Sequence, residues 1–184
     1  MEKISSLTYL NLCDNKLRSL PSTIINTRSL QTLVLDNNAG LQSIQALNGH
    51  SSLKFLQADN CQIDRIPLNL SQLINLYMSN NSLTDLSNIH TLGNKTNKKK
   101  LFFFDNNSIR YLSPHIRQVN NLTFLNLNNN KLYILPMDIY EVSTLQTLYI
   151  QNNDFGDKDL QEMVARFNRT HPKLKLCYGS KKSC

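Results

Sequence analysis

Four histidines, His50, His90, His115 and His171, are the first residues here that could do acid–base work or hold a metal. None stands at metal-ligand spacing from a second His or Cys, and none is set by spacing against a Ser or Cys nucleophile. Gly93-Asn94-Lys95-Thr96 has the flavour of a phosphate loop but lacks the second glycine and an immediately preceding strand, so it is expected to be a solvent loop. Asp36, Asp59 and Asp105 recur at one place in a repeating pattern. Paired carboxylates can act as acid and base, but a column of them along one edge reads as a solvated binding edge. The expectation is a non-catalytic chain with no metal, cofactor or small-molecule substrate.

What positions these residues is a repeat. Leu-x-x-Leu-x-Leu-x-x-Asn-x-Leu is read at Leu7, Leu10, Leu12, Asn15 and Leu17, then at Leu30, Leu33, Leu35 and Asn38, with one extra residue before Leu41. The third copy is Leu53, Leu56, Ala58, Cys61, Ile63, and the fourth Leu73, Leu76, Met78, Asn81, Leu83. The fifth runs Phe102, Phe104, Asn107, Ile109, with Lys99 where its first leucine should stand. Leu122, Leu125, Leu127, Asn130, Leu132 and Leu145, Leu148, Ile150, Asn153, Phe155 complete the set. The steps between first positions are 23, 23, 20, 26, 23 and 23 residues. The two central apolar residues of each copy alternate with polar ones, the period of a strand with one buried face. One such strand cannot bury that face alone; stacked neighbours can, and the result is a quasi-one-dimensional solenoid.

In these residues the chain resembles the leucine-rich repeat family along nearly its whole length. The resemblance implies an α/β fold, a curved parallel β-sheet on the concave face with short 3₁₀ or extended convex segments. It also implies that the Asn of each copy, and Cys61 in its place, satisfies backbone groups of adjacent turns, and that the chain serves as a recognition module. Leu20-Pro21 to Ile24, Ile66-Pro67 to Leu70 and Leu135-Pro136 to Ile139 suit short convex returns, since proline removes a donor and fixes φ. They resemble the short, typical intracellular class of repeat.

Residues 1–156 are expected to form about seven repeats and residues 157–184 a C-terminal cap with a basic tail. Leu160, Met163, Val164 and Phe167 have helical spacing, and Leu174-Lys175-Leu176 reads as a last strand. At the other end Ile4 and Leu7 enter directly into a repeat, which suggests an excised or truncated chain, or a first turn covered by a partner or a second copy. The 25 asparagines exceed what the ladder positions need, part of the excess being expected from the composition of the source genome, and they create sequons at Asn69, Asn80, Asn94, Asn106, Asn121 and Asn168, most of them expected to be accidental.

Alternate strand residues face opposite ways, so two columns should line the concave face. Within them Tyr77, Leu101, Phe103 and Phe124 form an apolar patch, extended by Tyr9, Val34 and Phe55 on one side and Tyr149 on the other. A protein partner is expected there, with Asp36, Asp59 and Asp105 facing basic residues at its rim. Lys95, Lys98, Lys99 and Lys100 form a basic loop and, with Lys173, Lys175, Lys181 and Lys182, supply much of the net charge of +7. This loop is the basis of an alternative, a docking subunit of a larger assembly, including one that contains RNA, or the targeting domain of a longer multidomain protein. No run of about 18 apolar residues could cross a membrane. Cys13 and Cys61 are too far apart to pair, Cys177 and Cys184 could pair, and an intracellular, cytoplasmic setting is expected.

Overall fold

A computed structural model of the chain describes residues 6–179; Ile4, Lys181, Lys182 and Cys184 lie outside them. Eight strands form one parallel sheet, in the order β1 (Tyr9–Asn11), β2 (Thr32–Val34), β3 (Phe55–Gln57), β4 (Asn75–Tyr77), β6 (Lys100–Phe103), β8 (Leu122–Asn126), β9 (Thr147–Tyr149) and β10 (Lys175–Cys177). β5 (Asp85–Leu86) and β7 (Tyr111–Leu112) pair in a second, two-stranded sheet. The register places Tyr9, Thr32, Phe55, Asn75, Leu101, Phe124 and Thr147 in one column and Asn11, Val34, Gln57, Tyr77, Phe103, Asn126 and Tyr149 in another. Between these columns Leu33, Leu56, Leu76, Phe102, Leu125 and Leu148 point inward and are fully buried. Each such leucine contributes about 2 kcal/mol of transfer free energy.

The returns are 3₁₀ turns at Ser22–Asn26, Gln45–Leu47, Ile89–Thr91, Pro114–Gln118 and Met137–Glu141, and each buries one apolar residue: Ile24, Leu47, Ile89, Ile116 and Ile139. Pro21 and Pro136 sit extended just before two of them, at φ −66° and −64°, where proline costs no hydrogen bond.

The turn after each strand explains much of the asparagine. Asp14, Asn37, Asn60, Asn80, Asn106, Asn129 and Asn152 all have φ between 54° and 60°, a left-handed conformation that Asn and Asp tolerate better than other non-glycine residues. Asn69 and Asn121 share it. This backbone geometry favours asparagine at eight positions, among them those of four sequons. Four of the turn side chains also bond in sequence: Asn37 Nδ2 donates to Asp14 Oδ1, Asn60 to Asn37, Asn129 to Asn106 and Asn152 to Asn129, at 2.6–2.9 Å.

The next residue is the ladder asparagine. Asn130 Nδ2 donates to Phe104 O and Leu127 O while its Oδ1 accepts from Ile109 N–H at 2.9 Å, and Asn38, Asn81, Asn107 and Asn153 repeat that bridge. Cys61 departs from it. Its thiol donates weakly to Leu35 O at 3.4 Å and cannot match an amide oxygen as an acceptor. The N–H that would need that acceptor belongs to Leu41, and it is bonded within its own repeat to Asn38 O at 2.9 Å. The extra residue before Leu41 thus makes a turn that satisfies the Leu41 N–H within its own repeat, so the cysteine opposite does not have to accept from it.

At the C-terminal end α1 (Asp157–Thr170) buries Met163 and Phe167, with Asp157 and Asp159 in its first turn and Arg169 in its last, the polarity the helix dipole favours. Phe167 packs on Tyr140 with ring centroids 4.6 Å apart. β10 then pairs with β9. At the opposite end Leu7, Leu10 and Leu12 are only partly buried, whereas their counterparts Leu30, Leu33 and Leu35 are fully buried.

Candidate functional site

On the concave face, four rings from consecutive strands lie in van der Waals sequence. Tyr77 stacks on Phe103 with centroids 4.7 Å apart and planes 10° apart. Phe103 meets Phe124 at 4.6 Å, and Phe124 meets Tyr149 edge-on at 5.3 Å. All four are half-buried, as is Leu101 beside them. The strands place them there because each is the outward residue next to a buried leucine or phenylalanine. Lys175 Nζ lies 5.5 Å from the Tyr149 ring centroid and ends the strip with a cation. Its place in β10, opposite Thr147, was the signal for it.

The extension towards β1 is interrupted. Val34 is only 7% exposed and does not contribute to the patch. Its short branched side chain stands in the column between Asn11 and Gln57 and does not reach the level that aromatic side chains do. Tyr9 and Phe55 are exposed, but neither joins the ring contacts among the described residues.

The aspartate column is not freely solvated. Asp36 Oδ1 accepts from Asp59 N–H at 2.8 Å, Asp59 Oδ1 from Ser79 N–H at 2.7 Å, and Asp105 Oδ1 from Ser79 Oγ at 2.7 Å and Asn126 Nδ2 at 2.9 Å. Each carboxylate is thus tied to a neighbouring repeat, and all three are half-buried. Burial pushes the Asp59 carboxyl up to about 6; the Ser79 N–H opposes the shift and the charges of Asp36 and Asp105 add to it. Asp36 is raised as well, mainly by burial.

Lys100 corrects the expected four-lysine loop. It is fully buried, and its Nζ donates to Thr96 O and Asn120 O. The register shifts by one residue at this strand: Lys100 pairs with Leu122 and Leu101 with Phe124, so Lys100 and not Lys99 occupies the first-leucine position. Thr123, skipped by the shift, donates its Oγ1 to Lys100 O at 3.0 Å. Burial holds the Lys100 amine below its ordinary value. Lys95, Lys98 and Lys99 remain exposed.

The phosphate-loop segment is also accounted for. Gly93 N–H, Lys95 N–H and Thr96 N–H are spent on Leu70 O, Ser71 O and Gly93 O, so no nest of free donors exists for an anion. The segment wraps the Lys100 side chain; a Cβ at Gly93 would come 2.2 Å from Lys100 Cε and 2.4 Å from Leu73 O.

The histidines are dispersed. His50 is buried, with Nε2 3.1 Å from Thr27 Oγ1, and burial pushes it down. His90 and His115 meet edge-to-face at 5.2 Å, and His171 Nε2 lies 3.1 Å from Val142 O, tying the end of α1 to the repeats. Among the described residues no group of three or more His, Cys, Asp or Glu could hold a metal, and no helix is long and apolar enough to cross a membrane. Cys13 and Cys61 are free thiols, and Cys177 is disulfide-bonded.

The Leucine Rich Repeat family model matches residues 6–27 and 121–141. The chain is 28% identical over 145 residues to the volume-regulated anion channel subunit LRRC8E of Xenopus tropicalis, covering 76% of this chain and 18% of that one. It is 31% identical over 156 residues to the CD180 antigen of Mus musculus, covering 79% of this chain and 23% of that one. The chain therefore spans about a fifth of these relatives. The crystal structure of an internalin (inlF) from Listeria monocytogenes superposes with a TM-score of 0.77 at 22% identity, over 98% of this chain and 56% of that one, a likeness of fold.

Proposed function

Since the chain belongs to the leucine-rich repeat family, whose solenoids commonly act as protein–protein interaction modules and are generally non-enzymatic, we propose that it binds a protein partner on its concave face through the Tyr77–Phe103–Phe124–Tyr149 strip. The observation that carries this is the continuity of the strip. Four rings in contact across β4, β6, β8 and β9 keep one edge or face towards solvent, and rigid aromatic area of this kind anchors interfaces at low entropic cost.

The partner segment is apolar at its centre and carries Lys or Arg along one side. Asp36 and Asp59 each spend one carboxylate oxygen on the next repeat and keep the other for a cation. Such rim pairs choose the partner and its direction more than they add affinity. On compartment the cysteines pull two ways: the free thiols of Cys13 and Cys61 support an intracellular setting, and the disulfide at Cys177 supports an oxidising one.

A random-peptide display selection on the immobilised chain tests the reading. Selected peptides should share apolar residues flanked by Lys or Arg, and Phe103→Ala/Phe124→Ala should weaken them by about 30-fold or more, the loss of a hot-spot pair worth about 2 kcal/mol. Peptides that bind the double variant as well as the parent would remove the strip from the interface.

A further inference from the structure

A second apolar surface lies away from the concave face. Tyr133, Ile134 and Met137 are each more than half exposed, and with Met163 they line a groove of about 530 Å³ between the end of the sixth repeat and α1. Tyr111, exposed in β7, holds the position equivalent to Ile134 one repeat earlier. Single exposed apolar residues mean little, but three that line one groove mark a contact surface.

The other wall of the groove says what covers it. Asp159, Glu162, Arg166 and Arg169 line it from α1, at spacings of three, four and three residues, which puts them in one stripe along the helix. The stripe reads acidic, acidic, basic, basic. Within the chain these charges do not neutralise one another: the ion pairs among the described residues join Arg117 to Asp138 and Glu141. Arg166 instead lies 4.6 Å from the Tyr140 ring centroid and donates from Nη1 to Met137 Sδ at 3.3 Å. A purely acidic or purely basic segment would satisfy half of such a stripe and be repelled by the other half. A copy of the same stripe turned by a two-fold axis between Glu162 and Arg166 satisfies all of it. Asp159 then faces Arg169 of the partner subunit, and Glu162 faces Arg166 of the partner subunit.

We propose that this groove is a self-association surface, where two copies of the chain pack antiparallel along α1 and each covers the other's Tyr133, Ile134 and Met137. An interface of this kind is isologous, so every contact occurs twice. It is independent of the concave strip, which is left free on both subunits.

Sedimentation velocity on the full 184-residue chain over a concentration series tests it. The expected result is a rise from the mass of one chain to that of two, with Ile134→Glu abolishing the rise and Tyr77→Ala leaving it unchanged. Asp159→Arg and Arg169→Glu, each alone, should weaken self-association about tenfold, because each sets like charges against one another twice. Mixed together, the two single variants should form a one-to-one dimer at least as strong as the parent, because each restores the other's pairing. Recovery on mixing cannot come from misfolded variants. A single-chain mass at every concentration, or dimerisation indifferent to Ile134→Glu and to the mixing of charge variants, overturns the proposal.

Discussion

Asp59 shows how the concave edge is built, and it makes a prediction about pH. Its carboxyl titrates near 6, above the ordinary value of 3.8, so the folded chain holds this proton more tightly than the unfolded one. Stability from this group is therefore complete below about pH 4 and is lost as pH rises through about 6. Asp59→Asn keeps an oxygen for Ser79 N–H, as Asn128 Oδ1 does for Gln151 N–H at 2.7 Å two repeats beyond Asp105's neighbour Ser79. The variant should be more stable than the parent at pH 7 by about 1 kcal/mol, a figure discounted for partial exposure, and should flatten the slope between pH 4 and 6. Asp36 contributes some slope of its own. Urea titrations across that range measure both; unchanged slope in the variant would mean the charge is solvated. Gly93 offers a sharper case. At φ +65° with Leu73 O and Lys100 Cε in the way of a Cβ, Gly93→Ala should cost about 3 kcal/mol or more, and Lys100→Ala should not rescue it because the Leu73 carbonyl cannot withdraw.

At the scale of the repeat, most of the architecture was legible because period-two alternation and a fixed repeat length leave little freedom. The two concave columns read from spacing match the observed register at every strand of the eight-stranded sheet from β1 to β9. Failures came where one residue changes the backbone. Counting three back from Phe102 selects Lys99, but the shifted register gives the position to Lys100, and spacing alone does not reveal a bulge. The fate of Val34 was hidden for another reason: a column says which way a side chain points and not how far it reaches. The left-handed turns did leave a signal, the recurring doublets Asn37-Asn38, Asn80-Asn81, Asn106-Asn107, Asn129-Asn130 and Asn152-Asn153, of which the first member takes the positive φ and the second the ladder. The coupling of Cys61 to the extra residue before Leu41 is testable in this element. Cys61→Asn alone buries an amide oxygen whose usual donor, the Leu41 N–H, is already bonded to Asn38 O and should cost about 1 kcal/mol in thermal or urea melts, whereas adding a deletion of Ala39, which restores the ordinary turn, should recover most of that loss. Equal stability of the single and combined variants would break the link.

For the whole molecule, the solenoid separates two surfaces that share nothing but the core between them. The concave strip is aromatic and edged by carboxylates; the groove against α1 is aliphatic and aromatic with a charge stripe complementary to itself. A chain of this form can present two concave faces from one dimer and so raise avidity for a repetitive or dimeric partner without any new contact. The central claim, that recognition occurs on the strip, is tested most directly by titrating a display-selected peptide into the isotopically labelled chain and following backbone amide shifts. The account predicts perturbations centred on Tyr77, Phe103, Phe124 and Tyr149 in β4, β6, β8 and β9. Shifts confined to Tyr133–Met137 and α1, with those four strands unmoved, would contradict it.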